Sequence, residues 1–123
     1  MRSGGLPCVA ALAFCGCAAP GITADAPKTV RALPLPPYQI HEECFKLAPG
    51  DRVEYGFEST EPVAFNLHYD AGSAVVMPVA RGGAFEDAGI YVALIAHKYC
   101  LLWEAGPAGA AIDYRIRVKL RAT

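Results

Sequence analysis

From residue 41 onward, apolar and polar residues alternate along the chain with a period of two. The alternation runs through 52–58 and 63–70 and is most regular through 112–121. Successive side chains of a strand point to opposite faces, so these segments are typical of strands with one buried and one solvated face. The intervening segments are rich in β-branched and aromatic residues and show no helical pattern: 73–79, 89–96 and 98–104. The pattern predicts an all-β domain with little helix.

Groups of turn-forming residues separate these segments. Pro49-Gly50 suits a type II turn, and glycine recurs in 70–73, 81–83 and 106–109, where tight connections need positive φ angles. Strands that follow one another at such short intervals are typical of antiparallel sheets packed face to face. We therefore expect residues 41–123 to form an antiparallel β-sandwich of about seven to eight strands.

The first 26 residues predict an export signal. Arg2 supplies a positive charge and residues 6–19 are apolar, which is the order of a signal peptide, but the run is too short for a membrane span. Two ends of the signal are open. Residues 24–26 (Ala-Asp-Ala) fit a signal peptidase site, whereas Gly16-Cys17 resembles a bacterial lipoprotein motif in which Cys17 is lipidated. Either end places the mature chain in the periplasm or on a lipid anchor at the cell envelope.

Residues 18–40 predict a proline-rich spacer. The proline is densest in 33–37, which reads Leu-Pro-Leu-Pro-Pro. Proline favours the polyproline II conformation and lacks a backbone donor. We therefore expect this stretch to hold the domain away from its anchor and to stay off the sheet.

The charge balance argues against a polyanionic partner. The chain has 11 basic and 12 acidic residues and a formal net charge of −1. No overall electrostatic attraction therefore draws it to nucleic acid. Contact with a membrane is expected only through a lipid anchor.

Two cysteines, Cys44 and Cys100, belong to the predicted domain, and the other three lie in the export segment. An even pair in an oxidising compartment predicts a disulfide. Each cysteine also ends a His-x-x-Cys motif, with His41 and with His97, so a tetrahedral metal site is the alternative. Residues three apart on a strand point to opposite faces and neither motif contains a turn residue, which favours the disulfide. We expect no metal and no cofactor.

No catalytic constellation is recognisable. Ser59 and Ser73 lie in turn-like segments without the context of a nucleophile, and His68 shares a polar strand face with Asn66 and Asp70. No glycine-rich phosphate loop precedes a predicted helix. The sequence indicates a protein that binds and does not catalyse.

Five runs of sequence match the pattern of a known family: 44–47 (CFKL), 49–59 (PGDRVEYGFES), 62–69 (PVAFNLHY), 99–104 (YCLLWE) and 112–118 (IDYRIRV). Together they resemble the Golgi-dynamics (GOLD) domains, and Cys44 and Cys100 match that family's paired cysteines. The resemblance implies a compact GOLD-like or jelly-roll-like β-sandwich that serves as a protein-binding or cargo-binding module. The cargo receptors of the family continue into a coiled coil and a membrane span, which we do not expect here, so sorting activity is not carried over.

Two polar strand faces are candidate binding surfaces. The first combines donors, acceptors and a titratable ring: Glu54, Asn66, His68 and Asp70. The second is a stripe of cations on the last strand: Arg115, Arg117, Lys119 and Arg121.

The function that these observations favour is a non-catalytic binding module, exported to the bacterial cell envelope and bound there to a protein partner. The alternative is a small periplasmic metal-binding protein. Its ligands would come from three histidines and two cysteines: His41, His68, His97, Cys44 and Cys100.

Overall fold

The structure, a computed structural model, describes residues 21–122 and consists of six β-strands with no helix in that range. The strands are β1 (Lys28–Leu35), β2 (Ile40–Leu47), β3 (Arg52–Ala71), β4 (Ala74–Val92), β5 (His97–Ala105) and β6 (Ala110–Lys119). The all-β prediction is confirmed. Residues 1–20, with most of the predicted export signal and the predicted lipidation site Cys17, lie outside the described residues. Between residues 21 and 122, no helix is long and apolar enough to cross a membrane.

All six strands belong to one antiparallel sheet that curls around its own apolar face. The order is β1-β6-β3-β5-β2, and β4 pairs with the other side of β3. β3 is 20 residues long. Its residues 52–59 pair with β6, and its residues 63–68 pair with β5. Because the two halves of β3 have different neighbours, the sheet bends between them and folds its inner surface onto itself.

The number of strands differs from the predicted seven to eight, and the two-sheet sandwich is not confirmed. The alternating segments 52–58 and 63–70 are parts of the single strand β3, and the glycines at 82–83 lie inside β4 without ending it. The chain bends through register shifts, one of them between Glu58 and Val63, and through Gly83, whose φ of 68° is left-handed. A bulged strand keeps bonding to its neighbour at a point where the sequence pattern is interrupted.

Part of the predicted spacer, 18–40, is a strand of the sheet and not a free linker. β1 pairs with β6, and Val30, Leu33 and Leu35 pack against the core. Pro34 is tolerated because β1 is an edge strand, whose outer side needs no donor. Burial of the apolar side chains outweighs the missing proline donor, which corrects the expectation that this stretch stays off the sheet.

The inner face of the curled sheet forms an aromatic and aliphatic core. Its largest fully buried side chains come from β3, β5 and β6: Trp103, Tyr99, Phe65, Leu67, Leu101, Ile112, Ile116, Val53 and Val63. The ring centroids of Phe57 and Phe65, which lie on different halves of β3, are 4.8 Å apart. Trp103 stacks on Tyr114 with centroids 4.6 Å apart and so joins β5 to β6.

The predicted disulfide between Cys44 and Cys100 is confirmed. The two residues lie directly opposite each other on β2 and β5 and are 56 residues apart in the sequence. Phe45 and Leu101, their neighbours along the strands, point into the core. The bridge therefore lies on the outer face of the sheet.

Candidate functional site

A polar cluster surrounds the disulfide on the outer face of β2, β5 and β3. This outer cluster consists of the Cys44–Cys100 bridge with Glu42, Asn66 and His68. Cys44 lies opposite Cys100, and Cys100 lies opposite His68. Glu42 and Asn66 each precede a member of that row by two residues, which keeps them on the same face. The register of three adjacent strands thus assembles the cluster.

His68 is held between two oxygen atoms. Its Nδ1 is 2.7 Å from Oδ1 of Asn66, and its Nε2 is 3.2 Å from a carboxylate oxygen of Glu42. The side chain of His68 is only 13% exposed. These two contacts fix the orientation of the ring, with one ring nitrogen facing Asn66 and the other facing the Glu42 carboxylate.

The outer cluster has the composition of a metal site. Ligand atoms of Glu42, His68 and Cys100 all lie within 4.8 Å of one another, and no other group of this kind occurs in residues 21–122. In the oxidised chain the sulfur of Cys100 belongs to the bridge and is not a thiolate. Glu42 was not among the predicted site residues. The sequence feature that could have identified Glu42 is its position two residues before Cys44, which places both side chains on the same strand face.

The metal-binding alternative required three histidines near the cysteines, and the structure places only His68 there. His41 points to the inner face, where its Nε2 is 2.8 Å from the hydroxyl of Tyr114. His97 packs its ring against Tyr69, with centroids 5.1 Å apart. Neither His-x-x-Cys motif brings its histidine to the face of its cysteine.

A second polar group, the inner cluster, lies under the edge where β1 and β2 approach each other: Lys28, His41, Glu43 and Tyr114. Nζ of Lys28 is 2.8 Å from a carboxylate oxygen of Glu43, and the hydroxyl of Tyr114 donates to the same oxygen. Burial raises the pKa of Glu43, but hydrogen bonds from Lys28 and Tyr114 outweigh it, so that the pKa is lowered. Burial and the bond to Glu43 raise the pKa of Tyr114 far above its ordinary value. The inner cluster therefore ties β1, β2 and β6 together.

Tyr114→Phe is expected to reduce the sensitivity of folding to alkali. Below the ordinary tyrosine pKa of 10.0, the hydroxyl of Tyr114 keeps its proton in the folded and in the unfolded chain, so this group does not make the free energy of unfolding depend on pH. Above that pH the unfolded chain releases a proton that the folded chain keeps, so the free energy of unfolding falls by about 1.4 kcal/mol per pH unit. Denaturant unfolding at about pH 10.5 and about pH 11.5 should show that the original chain loses about 1.4 kcal/mol more than the variant. Equal losses in the original chain and the variant would contradict the conclusion that the folded chain keeps the proton on the hydroxyl of Tyr114.

The bend in β3 divides the first predicted binding face. Asn66 and His68 belong to the outer cluster, and Asp70 is exposed near the end of the same half of the strand. Glu54 lies on the other half, opposite Arg117 of β6. Glu54 is also 3.3 Å from Nε of Arg52. The four residues therefore do not form one surface.

The predicted basic stripe is shorter than expected. Arg115, Arg117 and Lys119 lie on the outer face of β6. Arg121 lies beyond the end of β6, where its backbone N–H donates to a carboxylate oxygen of Asp51 at 2.7 Å. This bond ties the backbone at Arg121 to the turn that contains Asp51, beyond the end of the stripe on β6.

The β4 edge, defined as β4 and residues 93–95 after it, carries much exposed apolar surface. Of the ten large hydrophobic residues that are exposed within residues 21–122, seven lie there: Val75, Met77, Phe85, Ile90, Val92, Leu94 and Ile95. β4 pairs only with β3, so within the described residues its outer side has no strand partner. Unpaired edges of this kind readily accept another strand.

A groove of about 520 Å³ lies beside the β4 edge on the outer face. Gly56 and Ala88 are among its lining residues, and Glu58 lies directly opposite Glu86 on one side and Asp113 on the other. A backbone N–H of β1 donates to Asp113 at 2.6 Å. The basic residues that line the groove are Arg31 and Arg115. Like charges in directly opposite positions destabilise a sheet, so a cation near Glu58 and Glu86 would be stabilising.

No protein-family model matches this chain, and a search of curated proteins finds no similar sequence.

Proposed function

We propose that this chain is a non-catalytic binding module of the bacterial cell envelope and that its protein partner pairs with the β4 edge. The observation that carries the proposal is the unpaired outer side of β4, together with the apolar side chains exposed along it. Long apolar edges promote aggregation, so proteins usually shorten, charge or cover them. A strand added by a partner bonds to the free backbone groups and covers the side chains.

The partner segment that fits this edge is extended and apolar and carries a basic side chain. Pro78 removes a donor from the first half of β4, and the glycines at 82–83 bend the strand, so 84–92 is the better template. Ile90 and Val92 are 64% and 48% exposed there. The carboxylate of Glu86 on the same strand, next to that of Glu58, favours a lysine or arginine in the partner.

Export to an oxidising compartment is part of the proposal. Disulfides persist in the periplasm and are rare in the cytosol, so the Cys44–Cys100 bridge supports export. The signal predicted in residues 1–26 would deliver the chain there, and lipidation of Cys17 would anchor it to the envelope.

We also propose that the curled sheet is a GOLD-like sandwich of two layers. In the curled sheet, β1 and β6 continue into the first half of β3, while β2 and β5 continue into its second half. Contacts between the two halves, such as Phe57 with Phe65, are compatible with a two-layer GOLD-like domain. Such a domain would serve binding without a catalytic centre.

Ile90→Lys is expected to weaken the binding of the partner. Burying an isoleucine contributes about 1.5–3 kcal/mol, and its loss corresponds to about 10- to 100-fold in affinity. A photo-crosslinking residue at Ala88, in the full-length chain within cells that export it, should capture an envelope protein. The same crosslinking in the Ile90→Lys background should lose most of the yield.

Ile40→Lys is the matched control, because Ile40 is 55% exposed on the edge strand β2. This variant should crosslink as strongly as the original chain. Thermal unfolding of both lysine variants checks that they fold equally well. Capture that is insensitive to Ile90→Lys, or lost equally in Ile40→Lys, would exclude the β4 edge as the binding surface.

A further inference from the structure

We propose that the outer cluster becomes a zinc site when the Cys44–Cys100 bridge is reduced. The four ligands are the thiolates of Cys44 and Cys100, Nε2 of His68 and a carboxylate oxygen of Glu42. The outer cluster lies on a different part of the sheet from the β4 edge, and this site does not depend on the partner proposed above.

The donor set suits zinc better than calcium or magnesium. Zinc takes four ligands in tetrahedral geometry and accepts thiolate, imidazole and carboxylate donors. Calcium and magnesium bind oxygen ligands instead. Reduction raises the number of donors in the outer cluster from two to four, because it turns one bridge into two thiolates.

Strand pairing holds these donors together before a metal binds. Ligand atoms of Glu42, His68 and Cys100 lie within 4.8 Å of one another, and the sulfur of Cys44 is bonded to that of Cys100. Zinc ligands at about 2.0–2.3 Å from the ion lie about 3.3–3.8 Å from one another. The remaining contraction of about 1 Å is within reach of side-chain rotation, which also separates the two sulfurs.

Asn66 orients His68 toward the metal position. When Nδ1–H donates to Oδ1 of Asn66 at 2.7 Å, the lone pair of Nε2 faces the Glu42 carboxylate at 3.2 Å. Partners that bind the second ring nitrogen fix the tautomer of metal-binding histidines in this way. A zinc ion next to these two atoms can therefore be coordinated by both.

The conversion balances with a dithiol as the reductant. The dithiol transfers two electrons and two protons to the bridge, which becomes two thiols while the dithiol itself becomes a disulfide. Zinc then displaces the two thiol protons and binds both sulfurs. A small-molecule disulfide reverses these steps: it takes up the two electrons together with two protons from water and becomes two thiols, while the bridge re-forms, zinc is released and only His68 and Glu42 remain as donors.

The test is a zinc titration of the full-length chain in which Cys8, Cys15 and Cys17 are replaced by serine. The chain is titrated with and without a phosphine reductant. The reduced chain should bind one zinc ion at least about 1000-fold more tightly than the oxidised chain. Cobalt in place of zinc should give a thiolate charge-transfer absorption only after reduction. Equal affinity in both redox states would overturn the proposal.

Single substitutions separate this site from unspecific metal binding. His68→Ala and Glu42→Gln each remove a ligand, and Asn66→Ala, which removes only the orienting partner, should weaken zinc binding about 10- to 100-fold. His97→Ala is the control and should bind like the unsubstituted chain. If the reduced chain unfolds, circular dichroism should show that zinc restores its fold but does not restore that of His68→Ala. A loss in His97→Ala equal to that in His68→Ala would instead indicate binding to an unfolded chain.

Discussion

Trp103→Ala is expected to lower the free energy of unfolding by about 3–5 kcal/mol. Trp103 is fully buried. The centroid of its ring lies 4.6 Å from the ring centroid of Tyr114, 5.5 Å from that of Phe65 and 6.1 Å from that of Phe57. These rings come from β6 and from both halves of β3, so the cavity would open where the curled sheet meets itself. A small domain has a total stability of about 5–15 kcal/mol. The substitution therefore threatens folding itself.

Trp103→Phe is the matched control. Nε1 of Trp103 is buried and has no hydrogen-bond partner within the described part of the chain. An unsatisfied buried donor costs about 1–3 kcal/mol, and phenylalanine removes it while keeping an aromatic ring in the core. We expect Trp103→Phe to lose less than half as much stability as Trp103→Ala. Denaturant unfolding followed by circular dichroism measures both, because the only tryptophan fluorophore is lost. Equal losses would show that the ring does not fill the core as described.

Replacing Cys44 and Cys100 together by alanine is expected to lower the free energy of unfolding by about 4 kcal/mol. The bridge closes a loop between residues 56 positions apart and restricts the unfolded chain far more than the folded one. The folded chain loses little, because strand pairing already holds the two residues opposite each other. The disulfide therefore supplies stability comparable with that of a whole small domain.

Chemical unfolding of the double variant beside the oxidised original chain tests this expectation. Asn66→Ala is the control on the same face, and because it leaves the bridge intact it should lose no more than about 1 kcal/mol. The reduced original chain without zinc should match the double variant. A double variant as stable as the oxidised chain would mean that the bridge does not stabilise the fold.

The candidate sites were only partly predictable from the sequence. The pairing of Cys44 with Cys100 followed from their number and the compartment, and the placement of His68 on a polar face followed from alternation. The partnership of His68 with Glu42 did not, because it depends on β5 lying between β2 and β3. The separation of Glu54 from Asn66 depends in turn on a bend within one strand, whereas the interruption of the alternation at 59–62 predicted the end of a strand. Spacing along the chain identifies residues on one strand face but not which strand lies beside it.

The sequence by itself determined the strand character of the domain, the inward face of each alternating segment and the turns at 49–50, 72–73 and 107–108. Each of these depends on side-chain periodicity or on turn preferences, which are local properties. Only the tertiary structure decided that β3 runs on through its bend and that the proline-rich 28–35 joins the sheet as β1. Both depend on hydrogen bonds and apolar contacts with strands distant in the sequence, whose free energy overrides the local preference.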